Sequence, residues 1–310
     1  DNENSYWLLG VDSDGAAGKY STDSGSTWST AAYTPYYRIT DADTDRKPLY
    51  FKLEGGDYVV FNNDAATNST IYQIGDRGIP TTAASTTTIT DTAKSWTADE
   101  WIGARIKITK GPNKGLTRAI TDNGTNTLTF DAFPTNLTTA SDYVIYATGK
   151  LTDITSGGAG LGQIKDVAVL GNVAFFACGD ENSEVILQME WTPGTPGHSF
   201  ADDGGTVYAD CLAADHESSA GGVLWRAEND DTDVVVSRAD AIAYDANLSF
   251  GDDIAAGNST YEITGLLPVG PALYIFKEDE IGVISHDRYT ALTVNIRSSI
   301  RSAHGQAAVF

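Results

Sequence analysis

The sequence predicts an all-β protein, and more specifically a five-bladed β-propeller closed by both termini that carries one inserted small β-domain. Short runs rich in Val, Ile, Tyr, Phe and Thr recur along the chain and are bounded by Gly, Asn and Asp, which is typical of strands and turns. No segment shows a convincing long period of 3.6 residues, so long helices are not expected. One strand–turn–strand pattern also repeats along the chain.

The repeat consists of an apolar strand, a glycine turn, an aromatic-rich strand and an acidic or Asn-rich turn. Its copies lie at residues 49–64, 167–180, 211–236 and 266–280. The turn glycines Gly171, Gly222 and Gly270 are 51 and 48 residues apart. Gly55 precedes Gly171 by 116 residues, of which about 70 have a different character. Repeats of about 40–50 residues with several strands each indicate propeller blades.

The two chain ends are expected to share the fifth blade. Ala307–Phe310 has the pattern of a first strand that stops before its turn, and Tyr6–Val11 has the pattern of the aromatic second strand. A blade built from both ends would close the ring and remove its exposed edges. The alternative is an open fragment of a larger propeller.

Residues 79–147 interrupt the rhythm of the repeat. They begin with a Thr-rich stretch and continue with short strands separated by polar turns, which predicts a small barrel or sandwich. The predicted domains are therefore a propeller of residues 1–78 and 148–310 and an inserted module of residues 79–147. We expect the module to lie between two blades, to protrude and to carry contacts. An inert decoration is the alternative.

Composition excludes several classes of function. The chain has 42 acidic and 20 basic residues, a formal net charge of −22, so its surface repels nucleic-acid backbones. No apolar run approaches the roughly 18 residues that a membrane-spanning helix needs. Cys178 and Cys211 are too few for a disulfide scaffold, and they either pair or remain buried thiols.

Motifs for catalysis are absent from the sequence, so we predict no enzyme and no catalytic residue. There is no P-loop, dinucleotide fingerprint or Gly-x-Ser-x-Gly elbow. The histidines are far apart and lack metal-binding spacing; they are His198, His216, His286 and His304.

Calcium is the one cofactor that the sequence suggests. Asp41, Asp43 and Asp45 alternate along the chain, and such carboxylates suit a cation that binds several oxygen ligands. However, Arg46 stands where an EF-hand loop needs Gly, and Lys52 stands where it needs Glu. A solvated acidic turn is the alternative.

An eight-residue segment matches the Asp-box pattern Ser-x-Asp-x-Gly-x-Thr-Trp. The matching residues are Ser21, Asp23, Gly25, Thr27 and Trp28. This segment resembles the hairpin turns of sialidases and other Asp-box propellers. The resemblance implies a structural role for these residues, in a tight turn away from any active site.

Two further stretches, residues 93–129 and 263–279, resemble structural proteins of tailed-phage virions. This resemblance implies a non-catalytic structural or attachment component of an extracellular assembly, in the first place a virion or tail protein. Its partners would be other copies, other virion subunits or a host-surface glycan, with neither nucleic acid nor membrane insertion involved.

Two alternatives remain open: a glycan-binding module and a sialidase-like glycoside hydrolase. The hydrolase would need clustered arginines to hold a carboxylate, together with two catalytic acids. The candidate arginines are Arg38, Arg226, Arg238 and Arg288.

Overall fold

The chain is antiparallel β throughout the part that the structure, a computed structural model, describes. The described residues are 6–8, 19–21, 29–30, 48–62, 69–82, 84–146, 150–154, 164–178, 186–192, 197–202, 209–215, 222–229, 234–240, 248, 250, 254–255, 262–270, 272–277, 280–285 and 296–297. They form strands and no helix, which confirms the all-β prediction. Among them there is accordingly no helix of the length and apolarity that crossing a membrane requires.

The chain divides into two compact units. The first comprises Asp1–Ala159 with Trp191–Ser199, and the second comprises Gly160–Glu190 with Phe200–Phe310.

Three sheets belong to the first unit. Their strands are β1 (Tyr6–Leu8), β2 (Lys19–Ser21), β3 (Ser29–Thr30), β4 (Leu49–Leu53), β5 (Gly56–Asn62), β6 (Ser69–Ile74), β7 (Asp76–Gly78), β8 (Thr88–Thr90), β9 (Arg105–Lys110), β10 (Thr117–Asn123), β11 (Thr127–Phe130), β12 (Asp142–Tyr146) and β13 (Leu151–Asp153). The sheet orders are β1-β2-β3, β13-β6-β5-β4 and β7-β12-β9-β10-β11-β8.

The six-stranded sheet is inserted into the four-stranded one. The chain leaves β6, forms all six strands β7 to β12, and returns as β13, where Leu151 pairs with Ile74. The Gly75 N–H donates to the Lys150 carbonyl at 2.8 Å, which closes the base of the insertion. The expected position between two blades is therefore wrong, because the insertion lies between the third and fourth strands of one sheet.

The inserted sheet has its own hydrophobic core. Along β9, Ile106 and Ile108 are fully buried, whereas Arg105 and Lys110 are exposed, as expected for a strand with one core face. A register shift between Ile120 and Asp122 in β10 marks a bulge, which bends a strand. The core contains Ile89, Trp96, Trp101, Ala104, Ile106, Ile108, Ile120, Leu128, Phe130, Phe133, Leu137, Tyr143 and Ile145.

Three four-stranded sheets follow in the second part of the chain. Their strands are β14 (Asp166–Leu170), β15 (Val173–Ala177), β16 (Leu187–Trp191), β17 (His198–Asp202), β18 (Cys211–Asp215), β19 (Val223–Asn229), β20 (Val234–Asp240), β21 (Ile254–Ala255), β22 (Ile263–Val269), β23 (Ala272–Lys277), β24 (Glu280–Ser285) and β25 (Ile296–Arg297). In each sheet the strands pair in chain order.

In the middle sheet, β18 to β21, the strands β18 and β19 are buried on both faces. Leu212 and Leu224 belong to a core shared with β14 and β15. Their chain neighbours Cys211 and Val223 belong to a second core shared with β22, β23 and β24. The first strands of the three sheets lie side by side, β14 beside β18 and β18 beside β22.

The four repeat glycines occupy related positions in these sheets. Gly55, Gly171 and Gly270 lie in the short connections between the first and second strands, and Gly222 immediately precedes β19. All four have positive φ angles, between 53° and 108°. Glycine adopts such angles without the Cβ clash that other residues suffer, which explains the residue at this point of each repeat.

Candidate functional site

The junction between the inserted sheet and the sheet β13-β6-β5-β4 brings together buried polar and aromatic side chains. Its centre is Arg77 on β7, which is only 1% exposed. Arg77 Nη1 donates to the Leu53 carbonyl at 3.1 Å and to the Tyr58 hydroxyl at 3.0 Å. Its guanidinium carbon lies 3.9 Å from the ring centroid of Trp191, a cation–π stack. We call Arg77, Tyr58, Trp191 and His198 the junction cluster.

The charge of Arg77 is only partly compensated. Glu54 Oε2 lies 3.9 Å from Nη2, too far for a hydrogen bond, and the Glu54 side chain is 40% exposed. Among the described residues, Nε and Nη2 of Arg77 have no hydrogen-bond acceptor. The stack on Trp191 and the two bonds from Nη1 are therefore the main interactions that hold the guanidinium in place.

A hydrogen-bonded chain runs from Arg77 through Tyr58 to His198. The Tyr58 hydroxyl accepts from Arg77, so its own proton is available to His198 Nε2 at 3.0 Å. In this arrangement Nε2 is the acceptor and the imidazole is neutral. Burial, with smaller contributions from the positive charges of Arg77 and Lys94, lowers the pKa of His198 to about 3. The histidine is therefore held neutral at physiological pH and is poorly suited to act as a base.

Two carboxylates complete the buried face of the insertion. Asp76 accepts from Lys94 Nζ and from Trp96 Nε1, both at 2.7 Å. Asp91 accepts from the Tyr143 hydroxyl at 2.7 Å. Both carboxylates are thus paired with specific donors inside the module, an arrangement that stabilises its fold.

The outer edge of the junction carries a partly exposed group of side chains around the β4–β5 turn. Tyr50 is 54% exposed, and its hydroxyl donates to Asp57 Oδ1. Lys52 Nζ lies 3.3 Å from the same oxygen. From the inserted sheet, the Tyr146 hydroxyl donates to the Gly55 carbonyl at 2.8 Å, and Lys107 Nζ lies 6.0 Å from the Tyr146 ring centroid. We call this group of five side chains (Tyr50, Lys52, Asp57, Lys107 and Tyr146) the tyrosine edge.

In the second unit two described contacts of ionisable groups lie near the starts of β14 and β18. Lys165 Nζ donates to Asp210 at 2.6 Å. Asp166 accepts the backbone N–H groups of Val167 and Leu212, and burial raises its pKa to about 6 in spite of these two bonds. These contacts join the start of β14 to the start of β18.

The structure answers some of the sequence predictions and leaves others open. Ser21 ends β2, and β2 pairs with β3, but Asp23, Gly25, Thr27 and Trp28 lie outside the described residues. The calcium candidates Asp41, Asp43 and Asp45 also lie outside them. In the described part of the chain, no three His, Cys, Asp or Glu side chains are grouped as a metal site would require.

Of the candidate arginines of a hydrolase, Arg226 has a described side chain. Arg226 donates to Glu228 at 2.5 Å and stacks 5.1 Å from the Phe250 ring centroid. Arg238 lies on β20, where its backbone pairs with Trp225 of β19. Arg38 and Arg288 lie outside the described residues, as do His216, His286 and His304.

Cys178 and Cys211 are both buried free thiols, which decides between the two alternatives left by the sequence. Cys211 Sγ lies 3.7 Å from the Ile263 carbonyl. Burial raises the pKa of the Cys211 thiol well above its usual range, so it is not an activated nucleophile.

Sequence reasoning missed the junction cluster. Arg77 lies just before the predicted start of the insertion, and Trp191 and His198 lie more than 110 residues further along the chain. The one local signal is Asp76-Arg77-Gly78, a pair of opposite charges beside a glycine at a domain boundary.

Comparison with family models, curated proteins and solved structures gave no match.

Proposed function

We propose that this chain is a non-catalytic attachment or assembly protein in which a propeller scaffold presents the inserted module in a fixed orientation. The observation that carries this proposal is the junction cluster. A loosely tethered module would not need a fully buried arginine stacked on Trp191 and bonded to Leu53 and Tyr58. A module that binds a partner benefits from such rigidity, because it loses less conformational freedom on binding.

A propeller is the scaffold that the sheets support best. A middle sheet with both faces buried needs a sheet on each side, and adjacent first strands are what radially arranged blades produce. We propose that the four four-stranded sheets are blades and that the two ends of the chain complete a fifth. The resemblance of residues 93–129 and 263–279 to virion proteins favours a phage virion or tail as the assembly.

Removal of the module tests this proposal. Because β6 and β13 are paired neighbours, residues 76–149 can be replaced by Asn-Gly, which favours a two-residue hairpin turn. We expect this variant to fold but to be lost from the native particle. Arg105→Ala serves as the control, because Arg105 is exposed on the inserted sheet, and it should be incorporated normally.

Electron cryomicroscopy of the native assembly provides the direct measurement. We expect density for the inserted sheet against a neighbouring subunit. A monomer whose central cleft gathers arginines with two carboxylates, and which releases sugar from a glycoside, would overturn the proposal. Incorporation of the deletion variant at the level of the intact chain would also overturn it.

A further inference from the structure

We propose that the tyrosine edge is a binding subsite for a neutral hexose glycan. The inference rests on the attachment role proposed above and names a ligand class for it. The ring of Tyr50 would be the platform, and the Lys52–Asp57 pair would contact adjacent sugar hydroxyls.

The platform is exposed and fixed at the same time. Tyr50 belongs to β4 and is 54% exposed, whereas Val59, its partner on β5, is buried in a small core with Phe61 and Tyr72. The hydroxyl of Tyr50 is held by Asp57. A ring that is already oriented loses little freedom when a ligand stacks on it. The negative face of an aromatic ring attracts the positively polarised C–H groups of a sugar ring.

The polar groups beside the ring match a sugar and not an ion. Lys52 offers donors, and beside it the Asp57 carboxylate, whose side chain is 15% exposed and whose Oδ1 already accepts from Tyr50, offers an acceptor, so that the pair suits two adjacent hydroxyls. Because the two charges compensate each other at 3.3 Å, the pair favours an uncharged polyol over an anion. The side chain of Lys52 is 69% exposed and is therefore accessible to a ligand.

The inserted module supplies the second wall of the site. Tyr146 is held to the same turn through its bond to the Gly55 carbonyl, and Lys107 lies over its ring. The close approach extends to Thr109, whose Cγ2 would lie 2.8 Å from a Cβ at Gly55. The site is therefore built where the inserted sheet meets the sheet β13-β6-β5-β4, and the module completes it with Tyr146 and Lys107.

The test is calorimetric titration of the full chain with maltohexaose, cellohexaose and mannohexaose, and with a hexamer of galacturonic acid as the charged probe. We expect at least one neutral hexamer to bind more tightly than the uronate. Tyr50→Ala should weaken this binding by ~10-fold or more, because the stacking surface is lost. Tyr50→Phe should weaken it by only ~2–5-fold, because it keeps the ring and loses the bond to Asp57.

Two further variants keep the result interpretable. Lys52→Ala changes a highly exposed side chain without touching the core, and it should weaken binding by several-fold. Val269→Ala changes an apolar residue of the second unit that is 51% exposed, close to the 54% of Tyr50, and it should leave binding unchanged. Circular dichroism and the sedimentation coefficient establish that each variant is folded.

Four results would overturn the inference. They are the absence of binding to every neutral hexamer, equal binding by Tyr50→Ala, tighter binding of the uronate, and self-association of the chain that Tyr50→Ala abolishes. The last would identify the tyrosine edge as a contact between copies. None of these results affects incorporation of the intact chain into its assembly, so failure of this inference is distinguishable from failure of the proposed function.

Discussion

The inserted sheet and the middle sheet of the second unit bury their apolar side chains in different ways. In the inserted sheet, buried and solvated residues alternate, as Ile106 does with Arg105, and the core is assembled from its own strands. In the middle sheet, consecutive residues such as Leu224 and Trp225 are both buried, each against a different neighbouring sheet. The first sheet is therefore self-sufficient in its core, whereas the second depends on the sheets beside it.

Alanine substitutions at adjacent residues give the largest expected effects. In the middle sheet, Trp225→Ala should lower the free energy of unfolding by about 3–5 kcal/mol and Leu224→Ala by about 2–5 kcal/mol, since each leaves a cavity in one core. In the inserted sheet, Ile106→Ala should cost about 2–5 kcal/mol. The neighbouring residue Arg105 is exposed, so Arg105→Ala should change the free energy of unfolding by less than about 0.5 kcal/mol. Urea denaturation measures all four, and a small effect of either middle-sheet variant would contradict burial on both faces.

The junction cluster is where the inserted sheet ceases to be independent. Arg77→Ala should destabilise the protein by about 3 kcal/mol, because it removes the stack on Trp191 and leaves a cavity among buried groups. Arg77→Met should cost less, because it refills part of the volume without a buried charge. Thermal unfolding provides the comparison. Equal costs for the two variants would mean that the charge, and not the packing, holds the junction.

His198 makes the junction sensitive to acid. In the folded chain its pKa is about 3, whereas in the unfolded chain the value is near 6.5. The neutral ring therefore stabilises the fold above pH 6.5, and this stability is lost as the pH falls toward 3. We expect a loss of about 2–3 kcal/mol between pH 7 and pH 4.

The pH effect of His198 is isolated by comparison with His198→Gln, which does not titrate. Asp166 acts in the opposite sense: with its pKa raised to about 6, its contribution is present below pH 4 and is lost as the pH rises through 6. The difference between intact chain and variant removes the Asp166 contribution, which both share. Parallel pH profiles of unfolding free energy would contradict the neutral, buried histidine.

The smallest expected difference concerns two repeat glycines. Gly171→Ala should cost about 1 kcal/mol, because its φ of 62° is unfavourable for alanine but the space around it is open. Gly222→Ala should cost about 2 kcal/mol, because a Cβ there would also lie 2.6 Å from Leu170 Cδ1 in the adjacent sheet. Chemical denaturation measures both. Equal costs would mean that Leu170 moves aside freely.

Patterns within a strand and its turn were readable from the sequence, and contacts between distant segments were not. The glycines at 55, 171, 222 and 270 marked four sheets, because a positive φ angle restricts the residue type locally. The inserted module of residues 79–147 was a prediction from the broken rhythm of the repeat, whereas the position of the six-stranded sheet inside another sheet depends on the pairing of Ile74 with Leu151, 77 residues later. Strand pairing over such a distance leaves no local pattern.

The candidate site was harder to predict for the same reason. A buried arginine looks like a surface arginine in the sequence, and only the approach of Trp191 and Tyr58 distinguishes Arg77 from Arg105. Tyr50 was assigned to a strand, but its exposure depends on β4 being the edge of its sheet. The Asp-box and the acidic turn at 41–45 were the clearest motifs, and both remain predictions.

The insertion begins and ends beside one pair of directly opposed residues in neighbouring strands of its sheet. Directly opposed residues of antiparallel strands have Cα atoms about 4.5–5.5 Å apart, so the two ends of any inserted domain must lie about that close. Inserted domains could be exchanged at this point without a change in the register of the flanking strands β6 and β13. Proteins that share this scaffold could thus diverge by replacement of the inserted domain. In the same way, protein engineering could place a different binding domain between Gly75 and Lys150.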